Sequence, residues 1–264
     1  MSLAPKDPWA RLAGLTPARV ALGRAGSGLP TRELLRFELA QAQARDAVVE
    51  PLDAASLRAE LAATGLPVLH VASRAADRRT YLQRPDLGRR LDEAGARQLA
   101  ASGGAADLAV VIADGLSALA VLRYAAPTVN ALLPRLGGLR IAPLVLATQG
   151  RVALADEVGA LLGARLALIL LGERPGLSSP DSLGAYLTFA PRIGCLDAQR
   201  NCVSNIRPQG LPPDRAARKL AWLIHEALRR ELTGVGLTDE SELALSPATA
   251  DPDVKGSAIR RRDR

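Results

Sequence analysis

Between residues 67 and 191 the chain alternates short apolar runs with longer stretches in which apolar residues recur every three or four positions. The short runs are PVLHV (67–71), DLAVVIADG (107–115), APLVLATQG (142–150) and RLALILLGE (165–173), followed by a weaker AYLTFAP (185–191). They are apolar at successive rather than alternate positions and end on Gly, Pro or charged residues, which predicts strands covered on both faces. Helical spacing lies between them at Asp92–Ala101, Leu116–Leu136 (with a break expected near Pro127) and Leu154–Leu162, and after them at Pro213–Leu232. Strands alternating with helices predict an α/β fold, here a Rossmann-like three-layer sandwich on a mostly parallel sheet.

An N-terminal helical arm precedes this region. Residues 1–30, with Pro5, Pro8, Pro17 and the string GRAGSGLP, read as irregular. TRELLRFELAQAQARDAV (31–48) then places Leu34, Leu35, Phe37, Leu39 and Ala42 on an apolar stripe, with Thr31 as the expected N-cap. A second helix, Asp53–Thr64, stops at Gly65. The organisation expected is therefore arm and helices at 1–65, a Rossmann-like domain at 66–237 and a mobile tail at 238–264. That tail holds two prolines, several acids and RRRDR, too little apolar surface to offset ordering entropy.

Composition narrows the function classes. The 264 residues carry a net charge of +7, yet the basic residues are dispersed and only 3% are aromatic, so nucleic-acid binding is not expected. No apolar run is long enough to span a bilayer and residues 1–28 lack a secretory core, which points to the cytoplasm. Cys195 and Cys202 have no neighbouring histidine, so no metal site is expected. His70, inside an apolar strand, reads as a core residue, and His225, in mid-helix, as a surface or packing residue.

Chemistry concentrates at the strand ends. Asp114-Gly115, Gln149-Gly150-Arg151 and Gly172-Glu173-Arg174 follow three strong strands, and in parallel neighbours these turns share the rim where ligands of α/β sheets sit. No phosphate-loop, HExxH or GxSxG signature occurs, and GRAGSG follows no strand. Asp156 and Glu157 read as complements to a helix dipole rather than an acid/base pair. The pattern favours holding a ligand over breaking bonds, so no catalytic residue is assigned.

The strings GLPTRELLRFELAQAQARDAV, DLAVVIADGLSA, GRVALADEVG, LLGERPGLSSPDSLGAYLTFAPR and RNCVSNIRPQGLPP resemble the small (light) subunit of ethanolamine ammonia-lyase over about residues 15–237. The resemblance implies an ammonia-lyase subunit acting on ethanolamine with adenosylcobalamin, inactive alone. It also implies a large TIM-barrel partner that carries substrate and radical chemistry, in a hetero-oligomer of paired subunits. The family's cobalamin contacts fall on Val152 in GRVAL, Glu173 in GERPG and Cys202 in NCVSN. PRIGCLDAQRNC is one residue shorter than the family's spacing, so Cys202 is placed by its local motif. Since neither histidine sits in an Asp-x-His-x-x-Gly pattern, the resemblance further implies that the cofactor keeps its own base on cobalt.

Elementary chemistry suits these positions. A backbone rim at Val152 can exchange hydrogen bonds with the corrinoid's amides, and the Glu173 carboxylate can accept from them. Cys202 is equally compatible with packing. Two other readings stay open at this level: a stand-alone nucleotide-binding α/β enzyme, and a purely structural partner of the large subunit. The arm at 1–30 leaves targeting to a bacterial microcompartment open as well.

Overall fold

A computed structural model describes residues 9–16 and 18–241; the expected tail beyond Ser241 and the first eight residues of the arm lie outside the described residues. Six strands form one sheet: β1 (Val68–Ala72), β2 (Ala106–Ala113), β3 (Leu144–Thr148), β4 (Ala164–Gly172), β5 (Leu183–Phe189) and β6 (Arg200–Ile206), in the order β1-β3-β2-β4-β5-β6. The first four are mutually parallel. β5 runs antiparallel to β4, and β6 antiparallel to β5.

The sheet is thus mixed, which corrects the mostly parallel one expected. The links 173–182 and 190–199 are too short for a parallel crossover, so each can only reverse the chain onto the neighbouring edge. β6 escaped the sequence reading because RNCVSNI has no apolar run. Only Arg200, Val203 and Ile206 along it are buried, and a register irregularity interrupts its pairing with β5.

Helices α1 (Thr31–Val49), α2 (Ala54–Leu61), α3 (Arg78–Gln83), α4 (Glu93–Ala101), α5 (Ala118–Leu132), α6 (Leu154–Leu161) and α7 (Pro213–Arg230) surround the sheet. Alternation along β2 divides the core. Leu108, Val110 and Ile112 pack with α2, α5 and α7, while Ala109, Val111 and Ala113 pack with α4 and α6. α7 also reaches β5 and β6, burying Leu187, Val203 and Ile206. On the opposite face Tyr186 is only half-buried and Cys202 is exposed.

Four local expectations change. α5 runs through Pro127 without a break: proline takes away one helical N–H, while the neighbouring Thr128 hydroxyl donates to the Tyr124 carbonyl at 2.6 Å and packing holds the rest. Thr31 is the first helical residue rather than the cap, which is Pro30. His70 is exposed because β1 is the edge strand. The apolar stripe of α1 faces outward, with Leu34, Leu35, Phe37 and Leu39 all exposed and only Ala40 and Ala47 buried.

α2 forms as expected, with Asp53 Oδ1 accepting from Ser56 N at 3.0 Å and Gly65 left-handed at φ 73°. The start of the expected tail is docked, since Asp239 pairs with Lys219 at 2.7 Å and Ser241 is buried. None of the described helices is long and apolar enough to cross a membrane.

Candidate binding site at the carboxyl edge of the sheet

The turns after β2, β3 and β4 do share one rim. Gly172 meets the β2 turn so closely that a side chain there would collide with the carbonyls of Asp114 and Ser117. Asp114 Oδ1 accepts from Gly150 N at 3.1 Å and ties the β2 and β3 turns together; burial raises its pKa. Tyr81, brought in by α3, donates its hydroxyl to the Gly150 carbonyl at 2.9 Å. Arg78 anchors the rim to α1, donating from Nε to the Val48 carbonyl and from Nη1 to the Gly115 carbonyl, both at 2.7 Å.

Beyond the β3 turn lies a cleft of about 330 Å³, with Arg89, Arg151, Val152, Leu171, Leu196 and Asp197 among its walls. Adjacent acids at the start of α6 hold those walls in place. Asp156 takes two guanidinium hydrogen bonds from Arg200, at 2.6 and 2.7 Å, and Arg200 Nη2 also donates to the Cys195 carbonyl at 2.9 Å, which fixes the 190–199 loop. Glu157 takes two from Arg90, at 2.9 and 3.2 Å, and one from Leu91 N at 2.9 Å, which fixes the segment carrying Arg89. The dipole reading of these acids omitted both partners, which lie 44 and 67 residues away along the chain.

Glu173 leans over β5 in a place that exists only because residue 184 is glycine: a Cβ there would stand 2.7 Å from Oε1. Its Oε2 accepts from the Ser182 hydroxyl and, at 3.3 Å, from Asn205 N. Tyr186 and Cys202 face each other in the β5–β6 register beside it. Burial and the Glu173 charge raise the Cys202 thiol, against a lowering hydrogen bond from Tyr186. Burial and the Cys202 contact raise the Tyr186 phenol.

Of the three residues singled out by sequence, Glu173 and Cys202 therefore meet in one electrostatic cluster, whereas Val152 lines the neighbouring cleft with Leu171. Sequence reasoning missed Ser182, Gly184, Tyr186, Arg89 and the Asp156–Arg200 strut. The buried acids of α6 were the only signal for the strut. A larger hollow of about 590 Å³ lies between the N-terminal segment, α1 and the link after β4, where Leu177 and Ser178 line it.

Polar capacity is left over at the rim. Gln149 Oε1 and Arg151 Nε are buried without a hydrogen-bond partner among the described residues, and Gln149 holds a left-handed φ of 60°. Such orphans suit a ligand bringing both donors and acceptors. No acid/base pair or nucleophile–base pair accompanies them among the described residues, and the arrangement suits holding and orienting a ligand.

The family model of the ethanolamine ammonia-lyase light chain (EutC) matches residues 6–238. The chain is 58% identical over 249 residues to the ethanolamine ammonia-lyase small subunit of Azotobacter vinelandii, with 92% of each chain covered. It is 57% identical over 247 residues to that of Xanthomonas campestris pv. campestris, covering 91% of each. With the small subunit of Pseudomonas fluorescens SBW25 it shares 51% over 262 residues, 97% of this chain and 94% of the relative. The chain belongs to the ethanolamine ammonia-lyase light-chain family.

Proposed function

We propose that this chain is the small subunit of an adenosylcobalamin-dependent ethanolamine ammonia-lyase, which converts ethanolamine to acetaldehyde and ammonia, and that it encloses the cofactor against a large TIM-barrel subunit. The observation that carries the reading is the family match over residues 6–238. The carboxyl edge supports it, as that edge carries polar atoms of Gln149 and Arg151 that have no partner among the described residues.

The residues present fit an amide-fringed disc. Glu173 Oε1 accepts no hydrogen bond from the described residues and is free for amide hydrogens, Val152 offers a backbone N–H at the cleft wall to an acceptor atom, and exposed Cys202 supplies a soft, uncharged surface. When bound, the cofactor supplies the radical chemistry; this chain binds, orients and excludes water. The large subunit contributes the substrate pocket, and the two chains build a larger assembly of paired subunits in the cytoplasm, free or in a microcompartment.

The test mixes cobalamin with the purified chain, with the large subunit and with both. Tight corrinoid retention by the pair alone is expected. Equal retention by the large subunit without this chain would reduce the chain to a structural partner, and deamination by this chain unaided would overturn the reading.

A further inference from the structure

Arg151 is a cation without a counter-charge among the described residues. Its Cγ packs on Gly88 and its guanidinium lies 4.2 Å from the centre of the Tyr81 ring, with one long contact of 3.4 Å from Nη2 to the Tyr81 carbonyl. It makes no ion pair among the described residues, and its buried Nε has no acceptor. Arg89, on the same cleft, is exposed, and its side chain has neither a hydrogen bond nor an ion pair among the described residues. Val152 and Ala153, which precede α6 on that wall, have backbone N–H groups with no acceptor among the described residues. The only acid lining the cleft among the described residues, Asp197, is fully exposed and stands 3.5 Å from Arg200 rather than from either of these arginines.

This wall therefore donates and scarcely accepts. An amide presents donor and acceptor together and would leave its N–H groups unmatched here, whereas a phosphate offers acceptors and charge, to which a guanidinium fork is complementary. Cobalamin carries one such group, the phosphodiester of its nucleotide loop. Resting on the cofactor reading above, we infer that Arg89 and Arg151, with the amides at the start of α6, form the subsite for that phosphodiester, while Glu173 and Cys202 face the amide-bearing corrin.

The experiment uses the complex of both subunits, titrated with cobalamin and with cobinamide, which lacks the nucleotide loop and its phosphate. Arg89→Ala and Arg151→Lys should each weaken cobalamin binding roughly ten-fold and leave cobinamide binding within about two-fold. The phosphorus-31 resonance of bound cobalamin should move toward its free position in both variants, which reads the same contact without cobinamide. Losses equal for the two corrinoids, or an unmoved phosphorus resonance, would overturn the subsite. A wild-type complex that takes up neither corrinoid would instead remove the cofactor reading itself, and this subsite with it.

Discussion

Arg200 and Asp156 meet in a buried bidentate ion pair, at 2.6 and 2.7 Å, with side chains only 3% and 1% exposed. The pair joins the last strand to the start of α6, and through the Cys195 carbonyl it fixes one wall of the cleft. Removing one partner strands the other in a dry site. Arg200→Ala should therefore cost about 3–5 kcal/mol of stability, measured by urea unfolding of the chain. Asp156→Asn with Arg200→Met, which removes both charges, should recover much of that loss.

Glu157 gives the opposite wall a pH dependence. Burial alone would raise its carboxyl, but hydrogen bonds from Arg90 and Leu91 N override it and hold the group below its ordinary 4.5. A folded-state pKa below the unfolded value stabilises above the unfolded pKa, and that contribution disappears as pH falls through the folded one. Wild type should exceed Glu157→Gln in unfolding free energy at neutral pH, and the gap should narrow below pH 4.5. A gap constant down to acid pH would show that the charge is not what holds the segment.

Gly184 leaves the room that Glu173 occupies. Because the collision in Gly184→Ala is with the far end of a side chain, the fold should stay within about 1 kcal/mol of wild type. Displacing the carboxylate should still lower cobalamin affinity of the two-subunit complex roughly ten-fold. Glu173→Gln keeps the shape and loses the charge, so its defect should be smaller; unchanged affinity there would remove Glu173 from the site.

Cys202 is exposed, yet its thiol pKa is raised by burial of its surroundings and by Glu173. Its alkylation by iodoacetamide should be slow at neutral pH and accelerate above the ordinary thiol range near 9. Cobalamin added to the two-subunit complex should protect it, and mass spectrometry of the labelled peptide reads both effects. Full labelling of Cys202 in the loaded complex would place the corrinoid elsewhere.

Gly115 sits at φ 56° against the Gly172 carbonyl and Leu171. Gly115→Ala meets backbone rather than a movable side chain, so a loss above about 3 kcal/mol is expected in thermal unfolding.

Much of this was legible in one dimension. Runs such as LAVVIA and LVLA are apolar at every position because both faces of those strands are covered, and their glycine-bearing ends mark the rim directly. The motifs GRVAL, GERPG and NCVSN carry the family resemblance; the structure puts Glu173 and Cys202 in one cluster and Val152 in the neighbouring cleft. Hidden from local pattern were the strand 200–206, which pairs through its backbone with few apolar residues, and the outward turn of the stripe on α1, which depends on what the rest of the chain leaves uncovered.

By itself, then, the sequence determined the family, the alternation of strands and helices and the rim of turns, since these rest on residue type and short-range periodicity. Tertiary structure alone decided that the sheet is mixed, that Asp156 and Glu157, in the first turn of α6 as expected, also clamp loops, and that Gly184 makes room for Glu173. Each of those depends on a partner tens of residues away or on the neighbouring strand, and charge and hydrogen-bond complementarity at such range leaves no periodic trace along the chain.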